Sequence, residues 1–400
     1  MNGGLLLSAY PNTGPQWSLK RILRGTATSN SRYMINRNVK SLSSSSEAET
    51  GVSGELRREI LEQVDKELSK GDDRAARSLV KDLHSKPGGL RCFGAAQQKG
   101  HDATDNGSEA QLQFAPASSR GLFGEEDTSC QRLHVPQRLY SLNELKLNGI
   151  ETSYLLSPKD NTLGAIERNL LIAALLGFIS AWSVFDLGPE ELLYFSLGLF
   201  FLWTLDSVCV LKLLAVSFGG GFSSLVLDTI GHKISQKYHN RVIQHEAGHF
   251  LIAYLLGILP KGYTLSSLEA FQQEGSLNVQ AGTTFVDFEF TDEISAGRVS
   301  ATMLNKFSCI ALAGVATEYL LYGYAEGGLA DVSTLDGLLN SLGFTQKKAD
   351  SQVRWAVLNT ILILRRHEQA RAHLAKAMSE GKSIASCIDV IEKSIDETCI

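Results

Sequence analysis

The sequence contains His245-Glu246-Ala247-Gly248-His249. On an α-helix, positions four apart share a face, so the two imidazoles can turn onto one divalent ion while Glu246 stands beside them. Two nitrogen ligands, an open coordination position and a carboxylate able to take a proton from water form the arrangement of a zinc peptidase. Two histidines leave such a zinc one ligand short, and an acid, His or Cys must come from elsewhere in the chain. Residues 311–335, ALAGVATEYLLYGYAEGGLADVSTL, offer Glu318, Glu326 and Asp331. Glu318 is flanked by Ala and Leu, a costly place for an unpartnered carboxylate, so it either binds the metal or orients a residue that does. Asp331 follows Gly327-Gly328, a turn that permits close approach. The residues alone leave the choice open.

These groups need a helix to hold them. Val242, Ile243, Phe250, Ile252, Ala253, Leu255 and Leu256 give the motif an apolar surround, Gly257 is a C-terminal stop and Pro260 forbids continuation. Downstream, Thr283 to Phe290 alternates apolar and acidic residues from Val286 onward, which predicts a strand. As an edge strand near the metal it could take an extended peptide by main-chain pairing. Helices are expected over roughly 296–322 and 345–368, then to 392. His367-Glu368 is followed by His373 at the wrong spacing for a second motif of the same kind.

Upstream, the apolar spacing of Leu56, Ile60, Leu61, Val64 and Leu68, then of 75–83 after Gly71, predicts an amphipathic helical segment over 47–86. Residues 87–165 read as a linker, largely disordered, and His101 and His134 within it read as solvated. An uncharged run at 169–185 and a second at 192–211, broken by Asp206, predict a two-helix membrane hairpin over 166–212. Trp182, Trp203 and Tyr194 near the run ends suit interfacial anchors. Asp186, Glu190 and Glu191 occupy the loop, whereas Arg168, Lys212, Lys233, Lys237 and Arg241 flank the pair, so both flanks are expected on the side from which insertion occurs. Gly219 to Gly221 reads as a hinge before an approach helix.

Residues 1–46 contain no Asp or Glu but carry Lys20, Arg21, Arg24, Arg32, Arg37 and Lys40 among many serines. That composition resembles a transit peptide, and the serines favour chloroplast over mitochondrion. A net charge of −5 without a basic stripe argues against nucleic acid as a partner. The six cysteines fall in no CxxC spacing and read as reduced thiols.

RVIQHEAGHFLIAYLLG, then IALAGVATEYLLYG, then GGLADV, in this order, resemble the peptidase domain of FtsH-family membrane metalloproteases. The likeness runs from about Ser235 to Ile395. It implies a mainly α fold in which His245, His249 and Asp331 bind zinc, Glu246 is the catalytic base and Glu318 supports the metal without binding it. Val315 stands where the family usually has Arg, and Tyr319 where it has a second acid, so the local salt-bridge network departs from the pattern. No GxxxxGK[ST] loop is present, so no ATP binding by this chain is expected, and the chain is similar to ATPase-less FtsH-like proteins of plant plastids. The resemblance implies a metallopeptidase domain over 213–395 with a small β element and a tail at 396–400. It further implies a place in a thylakoid or inner envelope membrane facing the stroma, unfolded or loosened protein and peptide substrates, and an ATPase-bearing FtsH-type partner. The alternative is a non-proteolytic scaffold or chaperone-like subunit that kept the fold.

Overall fold

Ser235 starts the central helix by accepting a hydrogen bond from the backbone N–H of Tyr238 at 3.2 Å. Gly257 ends it with a left-handed φ of 74°, and Ile258 N–H returns to Ala253 O at 2.9 Å. The computed structural model describes residues 49–86, 88–96, 139–185, scattered positions between 188 and 201, and 221–274, 281–296 and 298–395. Its helices are α1 (Glu49–Ser69), α2 (Asp73–His84), α3 (Leu142–Leu147), α4 (Thr152–Leu156), α5 (Asn161–Phe185), α6 (Gly221–Ile234) and the central α7 (Gln236–Leu255). Strand β1 (Pro260–Thr264), helix α8 (Ser267–Glu274) and strand β2 (Gly282–Phe285) follow, then α9 (Phe288–Ser295), α10 (Ala301–Ala311), α11 (Ala313–Tyr322), α12 (Leu329–Ser341), α13 (Gln346–Arg366), α14 (Glu368–Ser379) and α15 (Ile384–Ser394). The fold is mainly α, and β1 and β2 pair antiparallel as a two-stranded sheet.

Every residue of α7 from His245 to Leu255 is buried, which places that half of the helix in the middle of the fold. It packs on α11, α14, α10 and the hairpin of β1 and β2. Gly248 makes the approach to α11 possible: a Cβ there would meet Thr317 Oγ1 at 2.2 Å and Ala313 O at 2.9 Å. Helices α10 and α13, with α12, close the far side of the same core.

The strand expected to run to Phe290 ends at Phe285, and Phe288–Ser295 is helical. Val286 N–H still bonds to Leu259 O at 2.8 Å, after which the chain turns away. The acidic residues of the alternating pattern serve other ends: Glu289 takes a two-point bond from Arg77, at 3.0 and 2.8 Å, on α2. The helix expected over 296–322 divides at Leu312 into α10 and α11, which begin at 301 and 313.

The linker expectation also fails where residues are described. Residues 88–96 bury Leu90, Cys92 and Phe93, and Gly94 and Ala96 donate backbone bonds to Tyr254 O and Leu255 O at 3.0 and 2.9 Å. Residues 139–156 carry a full capping box, Ser141 with Glu144, and bury Leu145, Ile150 and Leu155. Short apolar clusters of this kind are diluted when composition is averaged over a long polar stretch.

The amphipathic segment forms α1 and α2, packed on each other and on α15. No helix among the described residues is long and apolar enough to cross a membrane. Of the hairpin expected over 166–212, the first run lies in α5, whose length includes Glu167 and Arg168, and the described positions of the second, between Glu190 and Phe201, are helical. Leu171 and Leu175 of α5 are 65% and 59% exposed. Most of the second run, with Asp206, Trp203 and the glycine hinge, lies outside the described residues, as do residues 1–46, His101, His134 and the tail.

Candidate metal centre

Three ligand atoms converge from two helices. His245 and His249, one turn apart on α7, bring their Nε2 atoms to 3.1 Å from each other. Asp331, in the first turn of α12, brings Oδ2 to 3.1 Å from His245 Nε2 and 3.3 Å from His249 Nε2. All three side chains are nearly or fully buried. Gly328 puts Asp331 there: its φ of +81° is left-handed, and a Cβ on it would meet Val315 Cγ1 at 2.4 Å and His245 Cε1 at 2.9 Å. Gly314 is equally constrained, since a Cβ there would lie 2.1 Å from His245 Nε2. Helix α11 can therefore lie against the imidazole only while position 314 has no side chain.

The hydrogen bonds at the far side of each ring decide what the near side offers. His249 Nδ1 lies 2.8 Å from Ile310 O, a carbonyl that can only accept, so Nδ1 carries a proton. His245 Nδ1 lies 2.7 Å from Glu318 Oε1. That carboxylate also accepts from Arg241 Nη1 at 3.1 Å and from the backbone N–H groups of Glu326 and Gly327 at 2.8 and 3.2 Å, so it too acts as an acceptor. In their neutral forms both imidazoles then present an Nε2 lone pair to the Asp331 oxygen. Three acceptors this close require a cation or a shared proton between them.

The spacing suits a metal. Bonds of about 2.0–2.1 Å in a tetrahedral site put ligand atoms roughly 3.3 Å apart, close to the separations seen. The group His245, His249 and Asp331 could thus hold a metal ion.

No known protein family, curated protein or solved structure matches the chain.

Of the three acids left open by spacing, the structure aims only Asp331 at both imidazoles. Glu318 holds the outer nitrogen of His245. Glu326, also buried, lies 3.4 Å from Arg241 Nη1. Burial alone would raise the Asp331 carboxyl, but His249 and His245 beside it hold it well below the usual range. Glu318 is likewise pushed up by burial and brought below its ordinary value by His245, Glu326 N–H and Arg241. Glu246 differs: burial dominates and raises its carboxyl, against the pull of His249, His245 and a hydrogen bond from Thr283 Oγ1 at 2.9 Å. A buried carboxylate of raised basicity beside a metal position is suited to accept a proton.

Four participants go unmarked by the sequence motifs. Arg241 precedes His245 by four residues, so helical spacing places it on the same face and could have marked it. Its guanidinium meets Glu318 and Glu326, while Val315 is fully buried beside the Gly328 turn. Tyr319 donates to Gly149 O at 3.1 Å and accepts from Glu151 N–H at 2.9 Å, tying the residues between α3 and α4 to α11. Thr283 carries no chemical signal beyond opening a strand, and the Ile310 carbonyl has none.

Proposed function

We propose that the chain is a membrane-associated zinc metalloendopeptidase similar to the FtsH family, without an ATPase motor, hydrolysing unfolded or loosened proteins. The observation that carries this reading is the convergence of His245 Nε2, His249 Nε2 and Asp331 Oδ2 with both Nδ1 atoms pinned by acceptors. Zinc bound by these residues supplies Lewis acidity toward a water and a peptide carbonyl. Glu246 takes the proton from the attacking water and returns it to the leaving amine. Thr283 fixes the orientation of that carboxylate from β2, and the buried helices around it exclude bulk water.

Strand β2 supports a peptide substrate. It pairs with β1 on one side, β1 being its one partner strand among the described residues, and Thr283 places it beside Glu246. An extended segment seated along its other edge would bring a carbonyl to the metal position without demanding particular side chains. The exposed leucines of α5 support membrane association, and the acid-free, serine-rich lead supports a chloroplast address with the peptidase facing the stroma. Lacking a phosphate loop, the enzyme takes substrates already loosened or delivered by an ATPase-bearing FtsH-type partner in the same membrane.

The test uses the purified full chain. Wild type should hold one equivalent of zinc and cleave an unfolded substrate, Asp331→Ala should lose the metal, and Glu246→Gln should keep it while cleavage falls by at least about 100-fold. Cleavage by Glu246→Gln at the wild-type rate, or zinc retained in full by Asp331→Ala, overturns the proposal. Zinc binding without cleavage by wild type favours the scaffold alternative.

A further inference from the structure

Arg241 is almost fully buried one helical turn before His245, and the bonding of its guanidinium is lopsided. Nη1 alone meets oxygen, at 3.1 Å from Glu318 Oε2 and 3.4 Å from Glu326 Oε2. Nε and Nη2 have no hydrogen-bond partner, and the guanidinium carbon lies 4.3 Å from the Tyr322 ring centre and 4.9 Å from that of Tyr324. Two aromatic faces thus hold the plane of the group while one nitrogen is presented to two carboxylates. Glu318 cannot shift without breaking that contact, and its other oxygen is the one that fixes His245 Nδ1. Glu326 extends the same contact outward, because its Oε2 also accepts from Thr162 N–H, in the first turn of α5, at 3.3 Å.

We infer that Arg241 is a positioning residue for the metal centre: stacked on Tyr322 and Tyr324, it locks Glu318 and through it the tautomer and direction of the His245 imidazole. Removing a group that orients a ligand in this way costs metal affinity without removing any ligand, typically by about ten- to a hundredfold. Glu326 makes the first turn of the exposed α5 the outer end of the same chain of contacts. This inference rests on the metal reading above.

A double-mutant cycle on zinc affinity in the full chain tests it, by competition with a chromophoric chelator and with the visible spectrum of the cobalt-substituted protein as a second readout. Arg241→Met should bind zinc about ten- to a hundredfold more weakly and alter the cobalt bands. On a Glu318→Gln background the same change should cost little more, because the route to the metal is already cut. Full additivity of the two losses, or wild-type affinity and an unchanged cobalt spectrum in folded Arg241→Met, overturns the inference while leaving the metal site intact. No zinc bound by wild type sinks both. If Arg241→Met fails to fold, Arg241→Lys, which keeps the charge but loses the planar stacking group, goes through the same cycle with the same expectations and the same overturning results.

Discussion

A methyl group at position 314 would sit 2.1 Å from His245 Nε2, one of the three candidate ligand atoms, so Gly314→Ala is the smallest change aimed at the centre. It should weaken zinc binding by at least about tenfold, read by chelator competition, because the imidazole of His245 must move for α11 to stay in place. Thr283→Val removes the side-chain donor that the described residues give Glu246 and leaves a buried carboxylate less supported. A hydrogen bond to a charged group is worth about 1.5–3 kcal/mol, so kcat/KM should drop by roughly 10- to 100-fold with the zinc content unchanged. Spacing four made it legible that His245 and His249 share a face. It was not legible from spacing that Asp331, and not Glu318 or Glu326, faces them, because that follows from the left-handed turn at Gly328 and the burial of Val315 beside it. Main-chain partners such as Ile310 O leave no mark in a sequence at all.

At the scale of elements, Gly337 gives the counterpart of Gly314. It lies inside α12 with nothing within 4 Å of a built Cβ, so Gly337→Ala should stabilise the fold by about 0.4–1 kcal/mol, measured by denaturant unfolding. The junction of α13 and α14 should respond to acid. His367 terminates one helix and precedes the next, and burial first, then Arg366, push its imidazole down to about 4. A depressed histidine favours the neutral folded form, so its contribution is complete above its ordinary value of about 6.5 and is lost as pH falls toward 4. The fall in Tm between pH 7 and 4 should therefore be smaller in His367→Gln than in wild type. Long amphipathic elements such as α1 and α13 were readable because many residues repeat one period, and α7 because its motif is bracketed by a stop at Gly257 and Pro260. The strand expected through Phe290 was not, since two phenylalanines about an acid fit a short helix packed on α10 as well as they fit a strand. Phe290 stacks on Phe307 with ring centres 4.8 Å apart, a tertiary contact that no local pattern announces.

Across the whole molecule, the buried apolar residues from Leu61 to Ile395 form one continuous core. Glu392, fully buried on α15, accepts from Arg91 N–H, Cys92 N–H and Tyr254 Oη at 2.9, 2.9 and 2.7 Å, which locks the 88–96 segment to the end of α7. Arg77 of α2 caps the same end through Gly257 O at 3.1 Å. Residues of 47–86 and of 213–395 thus share one core. Burying side chains such as Leu61, Val64, Val80, Leu83, Leu90 and Phe93 contributes about 1.5–3 kcal/mol each, comparable in sum with the usual stability margin of about 5–15 kcal/mol. A fragment spanning 213–400 should accordingly show no sharp thermal transition by circular dichroism, whereas the full chain should. The contacts of Arg57 with Asp389 and of Asp65 with Ala385 N–H span 332 and 320 positions. Synthesis at about 5–20 residues per second leaves α1 and α2 waiting roughly 15–65 s for the surface they will cover. During that interval their greasy sides stand open, an exposure that ends only when α15 has been made.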